Sequence, residues 1–170
     1  MSNKTIGIII FILIIIMGVF AFMNRDIAKD NREAHENAEI IIKGDGLEAK
    51  LTFEEIGQLG EEEFNAVLDT SDSDPKEHKY TGIPLVNIIE EAGITIEDKK
   101  QVIIRGIDGY TVAISIQDVM DEDNVYLAYK LNGKLLRSKE EGGSGPYQII
   151  IREDEFSQRW CKFVVEMELK

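Results

Sequence analysis

The densest glycine run of this 170-residue chain is Gly142-Gly143-Ser144-Gly145-Pro146. Glycine-rich loops can turn backbone N–H groups toward an anion. A nucleotide-binding loop of the P-loop kind carries a lysine and a hydroxyl residue directly after its glycines and leads into a helix. Here the glycines lead to Pro146 and then to an apolar run, Tyr147–Ile151. Two readings stay open, a mobile connection or a ligand loop of another kind. Asp69, Asp72 and Asp74 could hold calcium by type, but they lack the glycine at the sixth position and the glutamate at the twelfth that a helix–loop–helix site requires. Asp121-Glu122-Asp123-Asn124 reads as a solvated turn. His35 and His78 are far apart and lack metal-ligand spacing. No serine, histidine and acid set can be singled out, so neither a catalytic residue nor a metal ligand is assigned.

Cys161 is the single cysteine, which excludes an intramolecular disulfide and a cysteine-based zinc cluster. Tyr80, Tyr110, Tyr126, Tyr129 and Tyr147 are expected mostly in the core. Trp160, between Arg159 and Lys162, is the aromatic residue best suited to line a polar pocket.

These residues need a scaffold, and the chain divides plainly. Ile6–Met23 reads IGIIIFILIIIMGVFAFM without a charge. At 1.5 Å per helical residue it covers roughly 27 Å, close to the hydrocarbon thickness of a bilayer. A cleaved signal has a shorter apolar run and small residues at its end, whereas this run ends in Phe20-Ala21-Phe22-Met23. It is read as an uncleaved single-pass anchor. The expected organisation is a tail over 1–5, a membrane helix over 6–23, a charged stalk over 24–37 and a folded domain over 38–170. Lys4 precedes the helix, and Arg25, Lys29 and Arg32 follow it among Asp26, Asp30 and Glu33. A short N-terminal tail commonly stays inside, so the domain is expected on the extracytoplasmic side of the cell membrane.

The portion after the apolar run carries 18 basic and 32 acidic residues, a net −14. That excludes nucleic acid, which demands a basic footprint.

Within the domain, Ala38–Lys43 and Leu47–Leu51 are strand-like around Gly44-Asp45-Gly46. Thr52 and Glu55 match a capping box for a short helix. Phe64–Leu68 follows as a strand and Asp69–Lys79 as a polar loop. Pro84 opens a helix through Glu91 that Gly93 ends. Gln101–Arg105 and Tyr110–Ser115 pair across Asp108-Gly109, and Ser115 starts another short helix. Val125–Lys130 and Lys134–Arg137 flank Asn132-Gly133 as a hairpin. Tyr147–Arg152 and Lys162–Leu169 are the last strands. The class is α+β, one domain.

The order of segments resembles a known family. Tyr80-Thr81-Gly82-Ile83-Pro84-Leu85, followed by Ile88-Ile89-Glu90-Glu91-Ala92-Gly93, is similar to the Gly-x-Pro-Leu and Ala-Gly stretch of the sulfite-oxidase-like molybdopterin-binding domain. Asp108-Gly109-Tyr110, Leu127-Ala128-Tyr129 with Asn132-Gly133, Gly145-Pro146 and Lys162 resemble further motifs of that family, in order, between Ile40 and Leu169. The resemblance implies a mixed α+β fold with a loop-walled pocket for a molybdenum–pterin cofactor, touched here by Gly145, Gln148 and Lys162. The family binds molybdenum through a cysteine ahead of Gly-x-Pro-Leu. The matching stretch Phe64–Asp74 has none, and Gln148 stands where the family usually has an arginine. The expectation is therefore a membrane-anchored, non-catalytic domain that binds a small ligand or a protein partner. The alternative is an oxidoreductase holding the molybdenum cofactor with an altered ligand set.

Overall fold

The computed structural model describes residues 3–71 and 73–170; Met1 and Ser2 of the expected tail, and Asp72, lie outside the described residues. Helix α1 (Asn3–Glu36) is continuous. Its segment Lys4–Phe22 is apolar and long enough to cross a membrane, and none of it is buried against the protein. The charged stretch that follows the apolar run continues the same helix to Glu36. At its end His35 is 1% exposed, its ring edge-on to Phe53 at 5.4 Å.

Among the described residues, two five-stranded sheets follow. The first comprises β1 (Glu39–Gly44), β2 (Leu47–Thr52), β5 (Gln101–Gly106), β6 (Thr111–Ser115) and β10 (Val164–Leu169), in the order β2-β1-β10-β5-β6. Only β1 and β10 pair in parallel, the other neighbours being antiparallel. The second comprises β3 (Glu62–Thr70), β4 (Ser73–Pro84), β7 (Val125–Leu131), β8 (Lys134–Leu135) and β9 (Gln148–Ile151). Its order is β3-β4-β7-β8, with β9 also paired to β7. Period-two alternation turns Ile40, Ile42, Val102, Ile104, Met167 and Leu169 inward. Outward, Glu166 takes both Lys43 and Arg105, and Arg105 also reaches Glu168, an ion ladder across three strands. One contiguous apolar core joins residues of both sheets.

The helices follow local rules. Before α2 (Phe53–Gly57), Thr52 and Glu55 make the reciprocal capping box. Before α4 (Ile116–Met120), the Ser115 hydroxyl accepts from the Asp118 N–H. Helix α3 (Leu85–Glu91) buries Leu85, Ile88 and Ile89.

One expectation is corrected. Asp69–Lys79 is not a polar loop: β3 and β4 pair as a hairpin from Glu62↔Gly82 out to Thr70↔Ser73. The outer half of β4 is exposed, so backbone pairing rather than apolar burial holds it, and no hydrophobic alternation marks it. In the inner half Gly82 lets two backbones approach. A Cβ there would sit 2.5 Å from the Leu127 carbonyl oxygen and 2.8 Å from Ala128 Cα.

Gly82→Ala is therefore expected to cost about 1–3 kcal/mol through overpacking against rigid backbone. Gly57→Ala, with nothing within 4 Å of its new methyl group, should leave stability nearly unchanged. Thermal unfolding of the full chain in detergent distinguishes the two.

Candidate ligand cavity

A cavity of about 810 Å³ opens between the β3–β4 hairpin, the β7–β8 turn, the glycine loop and the segment that precedes β10. Its size falls in the range of small-molecule sites, about 300–1,000 Å³.

Backbone hydrogen bonds build its far wall. Gln148 and Lys162 form an antiparallel bridge, flanked by Ile149 N–H to Cys161 O at 2.8 Å and Val164 N–H to Tyr147 O at 3.0 Å. The Phe163 N–H donates to Ser144 O at 3.0 Å, which ties the glycine loop to the same ladder. The loop also folds back on the chain leaving β8: the Gly143 N–H donates to Ser138 O and the Gly145 N–H to Arg137 O. A Cβ on Gly143 would lie 2.0 Å from the Arg137 carbonyl oxygen, and one on Gly145 would lie 2.6 Å from that of Leu136. Glycine is needed at both for close backbone contact. The chain therefore leaves β8 after Leu135, and the expected strand Lys134–Arg137 stops two residues early.

Gln148 and Lys162, expected at a cofactor from the resemblance, both line this cavity. Gly145 is buried one layer behind, against Leu136. Trp160 lines the cavity while only 4% exposed. Its indole N–H is spent on the Ile151 carbonyl at 3.0 Å, so the ring offers the cavity an apolar surface, with Tyr80 edge-on at 5.9 Å. Of the other tyrosines, Tyr126, Tyr129 and Tyr147 are buried as expected, whereas Tyr110 is exposed.

Charge is sharply local. Lys134, Arg137 and Lys162 line the cavity, and none of the described lining residues is acidic. The ion pairs found among the described residues involve other cations, such as Lys43, Arg105, Lys130 and Arg159. Sequence reading missed Lys134 and Arg137. Their signal was present: 125–139 holds four basic residues and no acid, within a chain of net charge −13.

Metal-binding chemistry finds little support in the side chains. Among the described residues no group of three or more His, Cys, Asp or Glu is placed to hold a metal. Asp72 of the acidic run lies outside the described residues, and Thr70 approaches the Ser73 hydroxyl at 3.1 Å across the hairpin turn. Cys161 is fully buried. Its Sγ lies 3.6 Å from Lys162 O and 3.9 Å from Tyr110 O, and it does not line the cavity. Burial first, and the Asp108 carboxylate second, push its thiol up to about 11.

Comparison with known proteins places these observations. The family described as oxidoreductase molybdopterin binding domain matches residues 34–170. No curated protein matches the chain. Among solved structures, the sulfane dehydrogenase SoxCD from Paracoccus pantotrophus is similar in fold, with a TM-score of 0.66 at 19% identity. The match covers 79% of this chain and 38% of that one, so this chain corresponds to well under half of that protein.

The Cys161 environment gives a direct check. At about pH 8 only about 0.1% of a thiol with so high a pKa is thiolate, against tens of per cent for a free cysteine. A thiol-reactive disulfide reagent is expected to label the folded chain at least a hundredfold more slowly than the urea-unfolded chain, roughly the ratio of those thiolate fractions. The folded rate should climb as pH is raised further. Rapid labelling of the folded chain would contradict the buried placement.

Proposed function

The chain belongs to the oxidoreductase molybdopterin-binding domain family, and from that premise we propose that it is a membrane-anchored, non-catalytic member that holds a small organic anion outside the cytoplasm. One observation carries the reading. In a strongly acidic chain, an open cavity gathers Lys134, Arg137 and Lys162 with no described acidic residue among its lining. Charge-assisted hydrogen bonds from lysine and arginine are the usual means of holding phosphate or carboxylate.

The family's metal group does not fit these residues as a thiolate-bound centre. The cavity offers hydroxyls from Thr70, Tyr80, Ser144 and Ser157 and the Gln148 amide, but no cysteine. Cys161 is turned away, protonated and enclosed. What the site suits is the anionic part of a ligand. No redox step is derived.

The apolar helix supports the anchor. A short tail with Lys4 before it, and basic residues interleaved with acids after it, support an extracytoplasmic domain. Alkaline phosphatase fused to the C-terminus should then be active; an inactive fusion would reverse the assigned side.

The principal test is elemental. Full-length protein purified in detergent from a host that makes the molybdenum cofactor should contain molybdenum far below one atom per chain. Molybdenum near one per chain, together with a pterin, would overturn the non-catalytic reading in favour of an oxidoreductase with an altered ligand set.

A further inference from the structure

The two sheets treat their free edges differently. Along β3 the outward backbone groups are capped by side chains. Arg152 Nε donates to Asn65 O at 3.2 Å, and the Ser157 hydroxyl accepts from the Asp69 N–H at 2.9 Å and donates to Val67 O at 3.4 Å. Strand β2 carries Glu48 and Lys50, and β8 is two residues long. Covered, charged or short edges are the ordinary protection against strand addition. Strand β6 lacks it: Thr111-Val112-Ala113-Ile114-Ser115 contains no charge, glycine or proline. The Gly106 N–H donates to Tyr110 O and the Ile116 N–H to Lys100 O, so Tyr110 and Ile116 direct these groups toward the β5 side. By the alternation of an antiparallel ladder Val112 and Ile114 do the same, and Thr111 and Ala113 turn their backbone groups outward. Both residues are exposed, and no partner is found for their outward N–H and C=O groups among the described residues.

We infer that β6 is a self-association edge: a second copy of this chain adds its own β6 antiparallel, about a two-fold axis at Ala113, and the five-stranded sheets of the two copies join edge to edge. The edge matches itself, as an isologous contact requires. With Ala113 opposite Ala113 of the second copy, Thr111 faces Ser115 of that copy, and small uncharged side chains meet along the seam. Tyr110 and Met120, 47% and 56% exposed, flank the strand at opposite ends. The two-fold axis carries Tyr110 of each copy toward the α4 end of the other, so the apolar flanks cover one another. Asp118 of α4 is already paired with Arg159 at 2.9 Å, so it adds no bare carboxylate to the contact. A few backbone hydrogen bonds and two small flanks make less than the interface a stable dimer of freely diffusing chains needs. As a membrane anchor, the apolar helix α1 confines all copies to one plane, and confinement raises the effective concentration at which edges meet. Residues 111–115 do not line the cavity, so the pairing is independent of what the cavity holds.

The test is cross-linking of the full-length chain in membranes. Cys161 is the single cysteine and is fully buried, so Ala113→Cys supplies the accessible thiol. In the pairing above the two Cα atoms at position 113 lie about 5.5 Å apart, within reach of a short bis-maleimide. Membranes from cells making the Ala113→Cys chain should yield a covalent dimer of twice the chain mass. It should be several-fold more abundant than from Lys50→Cys, which puts the thiol on β2 at the opposite edge of the same sheet. Thr111→Pro removes an outward N–H and spares the bonds to β5, so adding it to Ala113→Cys should reduce the dimer several-fold. Thermal unfolding identifies the variants that fold. If Thr111→Pro does not, Thr111→Glu carries the same expectation, because it places a charge on the edge. Dimer no more abundant than from Lys50→Cys, or undiminished in a folded Thr111 variant, would overturn the inference. Cross-linking to a different protein in place of the dimer would also overturn it and assign the edge to that partner.

Discussion

A short backbone ladder decides the shape of this molecule's candidate site. The Gln148–Lys162 bridge, with its neighbouring Ile149–Cys161 and Val164–Tyr147 hydrogen bonds, joins β9 of one sheet to the approach of β10 in the other. Unpaired backbone groups at such a depth would be expensive, so the pairing fixes both segments. It makes the side chains of two residues fourteen positions apart in sequence share one cavity. The ladder also draws in the glycine loop through Phe163 N–H and Ser144 O. Phe163 accepts a φ of +54° to make that turn, an unusual conformation for a bulky residue. Gly106 allows the approach, since a Cβ there would lie 2.5 Å from the Lys162 carbonyl oxygen.

Charge is organised against the composition. A net charge of −13 describes the field far from the surface, where it keeps the protein soluble and repels anions. Close to the cavity the balance is the opposite, because Lys134 and Arg137 line its β7–β8 side and Lys162 another wall, with no acid among the described lining residues. Many of the acids are engaged elsewhere, as in the ladder of Glu166 and Glu168 with Lys43 and Arg105 and the Arg159 pairs with Asp118 and Asp154. Those partly exposed pairs contribute little stability individually.

Features governed by neighbouring residues were legible in the sequence. The Thr52–Glu55 capping box, the Ser115 cap and the Asn132-Gly133 hairpin turn all form as read, because each depends on a few adjacent positions. The ordered motif series led to the family and to two cavity residues, Gln148 and Lys162. The outer β3–β4 hairpin was not legible, since its polar, exposed residues carry no burial pattern. Lys134 and Arg137 both fall within the strand expected over 134–137, of which only Lys134–Leu135 forms. Their shared role depends on the chain leaving β8 early to meet Gly143 and Gly145, a tertiary event with no local signature.

Isothermal titration of the full-length chain with pyrophosphate tests the central claim most directly, with Lys162→Glu measured beside the wild type. The account predicts saturable binding to the wild type that weakens as ionic strength rises and is lost on reversing the charge of residue 162. Absence of binding to the wild type, or binding indifferent to that reversal, would contradict it.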